Sequence, residues 1–174
     1  MSSDTVRYID TSEFTRLGSG LSGQASLQGF HRFCEGLPEQ GAGAVVNWSL
    51  KGSRTSGGQS FIQVALQGAP VLQCQRCMEP FVYPIDVVNR VEIVANESDL
   101  DDEDDDEEAV ERMVGSRRFD VMSFIEDELI LAVPYVPRHE VCPNGPTLGQ
   151  ADPVPEQNTR PSPFSVLAQL KQNR

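Results

Sequence analysis

No stretch of this chain approaches the roughly 18 consecutive apolar residues that a membrane-spanning helix needs. The opening residues, Met1-Ser2-Ser3-Asp4-Thr5, carry neither the basic nor the apolar region of a secretory signal, so a cytoplasmic protein is expected. Cysteine and histidine are scarce, with four and two among 174 residues. In a reducing compartment so few thiols do not make a disulfide framework, which leaves a metal or redox role for them. Positive charge is also short: 14 cations face 26 acidic side chains, for a net charge of −12. That balance removes the whole-protein field that draws phosphate backbones, and with it bulk electrostatic binding to nucleic acid.

The acidity is local. Nine of the ten residues from Asp99 to Glu108 are acidic, and taking those nine charges away leaves −3 for everything else. Self-repulsion and the lack of apolar groups predict a solvated, disordered loop over 97–110. The run lacks the glycine and carbonyl spacing of an EF-hand, so a polyanion that keeps the chain soluble or attracts a basic partner is expected, beside a plain spacer. Twelve of the cations are arginine, and Arg112, Arg117 and Arg118 cluster just after the run. Arg117 and Arg118 are therefore candidates for contact with a partner.

Two short segments collect three of the four cysteines and one of the two histidines: Cys74-Gln75-Arg76-Cys77 and His139-Glu140-Val141-Cys142. A C-x-x-C turn brings two thiolates to one point, and an H-x-x-C can complete a tetrahedral shell around zinc. The gap of 61 residues between the pairs means that only the fold can close such a site. Four protein ligands leave no open position, which argues against catalysis. A turn with two thiols buried as small apolar groups is one alternative. A redox dithiol, with Arg76 favouring a thiolate, is the other, although the βαβ pattern around a thioredoxin-like motif is missing. His139 could equally be a surface residue after a proline turn. Cys34 and His31 have no partner nearby in sequence.

Along the chain, Val6, Tyr8 and Ile9 predict a short strand, and Thr11 or Ser12 caps a short helix that stops at Gly18. From Leu21 to Cys34 the spacing of Leu27, Phe30 and Phe33 predicts a helix weakened by Gly23 and Gly29. Alternation at Val46, Trp48 and Leu50 and again at Ile62, Val64 and Leu66 predicts two antiparallel strands. Phe81, Tyr83, Ile85, Val87, Val91 and Ile93 share one parity, giving a long strand or two strands around Pro84. The C-x-x-C then sits in a turn between strands. After the acidic run, Asp120 or the capping box of Ser123 and Glu126 starts a helix with an apolar stripe of Met122, Ile125, Leu129 and Ala132, ended by Pro134. Glu126, Asp127 and Glu128 face away from that stripe, so a solvated helix face is expected rather than a paired-carboxylate site. Residues 143–174 hold six of the 12 prolines and read as an extended tail. Ser162-Pro163 could begin a short helix there with Phe164, Leu167 and Leu170 on one face, for its own domain or for a partner.

The C-x-x-C at a strand end, the acidic loop, Phe119-Asp120, the helix around Ile125 to Leu131, Val136-Pro137, His139 and Cys142 together resemble the YceD family, the large ribosomal RNA subunit accumulation proteins. The ending Pro163-Phe164-Ser165-Val166-Leu167-Ala168-Gln169-Leu170-Lys171 is similar to that family's proteobacterial members. The resemblance runs over roughly residues 40–174 in ordered blocks, and residues 1–40 match only loosely. It implies a bacterial, non-enzymatic ribosome biogenesis factor needed for synthesis, processing or stability of 23S-type ribosomal RNA. The implied partner is a ribosomal protein or ribosome precursor, with RNA reached indirectly or through the few arginines.

The fold class expected is α+β: an antiparallel β-sheet from about residue 44 to 95 covered by helices, with a zinc-ribbon-like turn at one end. The expected organisation is a single α+β domain over 1–142 and a proline-rich tail over 143–174. Zinc held by Cys74, Cys77, His139 and Cys142 is the cofactor expected. A thiol redox protein and a chaperone for a basic ribosomal protein are the alternative functions.

Overall fold

A computed structural model describes residues 7–100 and 110–143. The middle of the acidic loop and the tail segment with Phe164, Leu167 and Leu170 lie outside the described residues. Strand β1 (Tyr8–Ile9) leads into helix α1 (Thr11–Arg16), and then come β2 (Gly20–Ser26), a 3-10 turn over Leu27–Gly29 and the one-turn helix α2 (His31–Cys34). Strands β3 (Val45–Arg54), β4 (Ser60–Gly68), β5 (Val71–Gln73), β6 (Pro80–Val82) and β7 (Ile85–Val94) follow. Beyond the acidic run come β8 (Glu111–Val114), β9 (Phe119–Asp120) and helix α3 (Val121–Ala132). No helix among the described residues is long and apolar enough to cross a membrane.

The main sheet has five strands in the order β2-β3-β4-β7-β8, while β1 pairs with β9 and β5 with β6 in two small ribbons. Strands β3 and β4 are antiparallel neighbours as expected, and alternation sets the register: Trp48 lies opposite Leu66, Leu50 opposite Val64, and Ile62 of β4 opposite Val91 of β7. These inward residues, nearly all fully buried, meet Val121, Phe124, Ile125 and Leu129 of α3 and Phe14 of α1 in one core. Each large aliphatic side chain buried this way contributes about 1.5–3 kcal/mol before the entropy of ordering is counted.

Three expectations need correction. The sheet is mixed, because β8 pairs parallel to β7; residues 95–110 between them are long enough for the crossover that a parallel neighbour requires. The sheet also begins earlier than expected, since Gly20–Ser26 is a strand and not part of a helix. Of its half-buried positions Leu21, Gly23 and Ala25, the middle one is glycine because the Trp48 ring fills that space: a Cβ at Gly23 would lie 2.9 Å from the indole. Two alternatives left open are also decided: the apolar run Pro80–Val94 forms two strands around Pro84, where the Tyr83 N–H donates to the Pro70 carbonyl and the two halves join different sheets. Asp120 alone caps α3, accepting from the N–H groups of Met122 and Ser123 at 3.1 Å each.

The third correction concerns the acidic trio of α3. Glu128 is only 5% exposed and accepts from Asn89 Nδ2 at 3.3 Å. Burial raises its pKa, opposed by the Asn89 hydrogen bond and reinforced by the charges of Glu111 and Asp127. Glu126 reaches across to α2, whose N-cap position is Phe30 and has no side-chain oxygen to offer. Its Oε1 accepts the N–H groups of Arg32 at 2.7 Å and Phe33 at 3.2 Å, and its Oε2 meets Arg32 Nε at 3.0 Å. A carboxylate from one helix thus caps another, and only Asp127 keeps the solvated position, paired at 2.6 Å with Arg32.

Candidate metal centre

The hairpin of β5 and β6 carries its loop as Cys74-Gln75-Arg76-Cys77-Met78-Glu79. Cys74 N–H donates to the Glu79 carbonyl at 3.0 Å and Met78 N–H to the Cys74 carbonyl at 2.9 Å, which tightens the loop into a knuckle. The turn needs a left-handed residue after Cys77, and Met78 takes it at φ 61°. That conformation costs a non-glycine residue roughly 1 kcal/mol.

Helix α3 ends before Pro134, and the chain then runs beside the hairpin so that the Gln75 N–H donates to the Pro137 carbonyl at 2.9 Å. This backbone bond aligns the second half-site with the first. His139 stacks on Phe81 of β6, ring centroids 4.7 Å apart, which fixes its imidazole. Cys74 Sγ lies 3.7 Å from Cys142 Sγ, Cys77 Sγ lies 3.4 Å from His139 Nδ1, and Cys142 Sγ lies 4.0 Å from the same nitrogen. All four ligand atoms fall within 4.8 Å of one another. With metal–sulfur bonds near 2.3 Å and metal–nitrogen bonds near 2.0 Å, the edges of a tetrahedron are about 3.5–3.8 Å, so the cluster has the donor set of a four-coordinate metal shell and comes within about 1 Å of its size. Fold closure has spanned the long sequence gap.

The electrostatics favour thiolates unevenly. Burial by itself would push the Cys74 thiol up, but N–H groups of Cys77, His139 and Arg76, with the His139 side chain, pull it down to about 5. The Glu79 amide favours a thiolate on Cys77, yet burial and the sulfurs of Cys142 and Cys74 outweigh it and raise that thiol. One negative charge is welcome here and further ones repel, which is the condition a divalent cation relieves. Arg76 supplies part of the compensation. Its Nε donates to Cys142 Sγ at 2.9 Å and a terminal nitrogen to the His139 carbonyl at 3.1 Å.

The other site candidates lie elsewhere. Arg118 holds its guanidinium 4.5 Å from the centre of the Tyr8 ring, and Arg117 lines a groove with Arg54, Thr11 and Ser116. Cys34 sits in α2, its thiol 3.2 Å from the Leu27 carbonyl, outside the cluster. Sequence reasoning missed the Glu126 cap and the stacking of His139 on Phe81, and no pattern within either segment signals them.

A mixed sheet packed under one long helix, with a Cys3His cluster formed by a hairpin knuckle and a segment after that helix, defines a class of candidate metal-binding α+β proteins. The family model described as large ribosomal RNA subunit accumulation protein YceD matches residues 62–171, more than half of the chain. The chain belongs to this family. The large ribosomal RNA subunit accumulation protein YceD of Haemophilus influenzae is 38% identical over 104 residues, which cover 58% of this chain. The match spans 59% of the length of that curated relative. No solved structure matches the chain.

Proposed function

We propose that this protein acts in the accumulation of large-subunit ribosomal RNA in the cytoplasm, as a binding factor and not as an enzyme. The observation that carries the reading is family membership across the segment that holds all four cluster residues. The cluster's role in this reading is to bind zinc: three sulfurs and one imidazole suit that ion, and four protein ligands leave no position for a substrate. Metal binding then contributes to folding by fastening the segment after α3 to the hairpin. The partner is a ribosomal protein or a ribosome precursor. A chain with 26 acidic residues suits a basic partner better than a phosphate backbone, and salt would weaken that attraction.

The test is a strain lacking the protein, in which mature large-subunit RNA should fall relative to small-subunit RNA and be restored by the wild-type gene. Cys77→Ala should restore it only in part. An unchanged subunit ratio in the deletion strain would remove the reading. A second reading, a thiol redox protein, is favoured by the lowered Cys74 thiol and its 3.7 Å approach to Cys142. Metal analysis of reduced protein separates the two: stoichiometric zinc supports the first, and a metal-free protein with a reversible dithiol supports the second.

A further inference from the structure

We infer that Arg76 is a positioning residue for the metal shell, joining the two half-sites and adjusting the charge on the Cys142 sulfur; this rests on the zinc reading above. Arg76 belongs to the first half-site by sequence but spends its guanidinium on the second. Nε donates to Cys142 Sγ at 2.9 Å, and a terminal nitrogen reaches the carbonyls of His139 at 3.1 Å and Glu140 at 3.5 Å. One side chain therefore fastens the thiol and the backbone of the H-x-x-C segment to the C-x-x-C knuckle. The rigid fork of arginine can make these contacts together, whereas the single ammonium of lysine cannot.

Charge gives Arg76 the same role. Three thiolates and a neutral imidazole around a divalent ion leave one negative charge in excess, and a guanidinium that stays ionised offsets it at the sulfur where it is hydrogen-bonded. Fastening the two segments before metal arrives also lowers the ordering cost at binding. Partners that orient metal ligands in this way are worth about 10–100-fold in metal affinity.

The experiment uses the full chain, reduced and metal-free, with Arg76→Met and Arg76→Lys beside wild type. Zinc affinity is measured by competition with a chromophoric chelator, and cobalt(II) serves as the spectroscopic probe. Arg76→Met should bind zinc about 10–100-fold more weakly while keeping a tetrahedral cobalt spectrum, because the four ligands remain. Its sulfur-to-cobalt charge-transfer band should move to lower energy, since the Cys142 sulfur loses a hydrogen bond. Arg76→Lys can restore one bond to that sulfur, so it should recover the band position and only part of the affinity. A loss of packing alone would not shift the band or be rescued in this split way. If wild type binds and Arg76→Met matches it in affinity and spectrum, this inference falls while the metal site stands. If wild type takes up neither zinc nor cobalt, the metal reading falls and the inference goes with it. Should Arg76→Met fail to fold, Arg76→Lys decides: affinity equal to wild type overturns the bridging role.

Discussion

Replacing Glu126 with alanine removes the acceptor for two backbone N–H groups of α2 and one partner of the Arg32 guanidinium. Helix α2 has four residues and cannot sustain itself, since the first helical turn is unfavourable without outside support. A helix cap is worth about 0.5–2 kcal/mol. The Phe33 N–H is partly buried, so leaving it unpaired puts the loss in the upper half of that range. The Arg32 ion pair adds at most about 1 kcal/mol, because the Arg32 side chain is 51% exposed. The expected cost is about 2–3 kcal/mol, a fall in melting temperature of roughly 7–12 °C for a folded unit of this size. Thermal unfolding by circular dichroism reads the total, and amide hydrogen exchange at Arg32 and Phe33 reads the cap itself. Glu126→Gln keeps an oxygen for the two N–H groups but turns an amide donor toward Arg32 Nε, so about 1 kcal/mol is expected. The Glu126 cap fails as the source of this stability if Glu126→Ala melts within about 2 °C of wild type. It also fails if exchange at both amides is unchanged, or if Arg32→Ala costs as much as Glu126→Ala, since the ion pair would then be the source.

Glu128 offers a pH test. Its folded pKa lies above the ordinary 4.5, first because it is buried, so the folded state holds its proton more tightly than the unfolded chain does. That contribution is present below 4.5 and is lost as pH rises through the raised folded value. Glu128→Gln should therefore gain stability over wild type as pH climbs from 4.5 toward neutrality in urea titrations; a gap that stays constant with pH contradicts the buried-carboxylate assignment. At Gly52 an added Cβ would lie 2.5 Å from the Phe14 carbonyl oxygen of α1. Because that neighbour is backbone, Gly52→Ala should destabilise by about 2–3 kcal/mol, seen as a lower urea midpoint at unchanged slope, and an unmoved midpoint would refute the close approach.

The amino-acid sequence by itself determined what depends on neighbours along the chain. Alternation placed β3 and β4 and their pairing, Asp120 and Pro134 bounded α3, and the two cysteine segments marked the candidate ligands, because these signals act over a few residues. Tertiary structure decided the rest. Whether Gly20–Ser26 is strand or helix turned on the Trp48 ring, which makes a glycine useful at 23 and hides the alternation. The parallel pairing of β8 with β7 is a contact between segments well apart in the chain, which no local pattern encodes. The solvated face assigned to Glu126 and Glu128 gave way because α2 lacked a cap and β7 offered Asn89, both distant in sequence. The cluster itself joins residues 62 or more positions apart, such as Cys77 with His139 at 3.4 Å. Local chemistry names such ligands, but only the packing of α3 and the hairpin, with its Gln75–Pro137 bond and Arg76 bridge, brings them within one coordination shell.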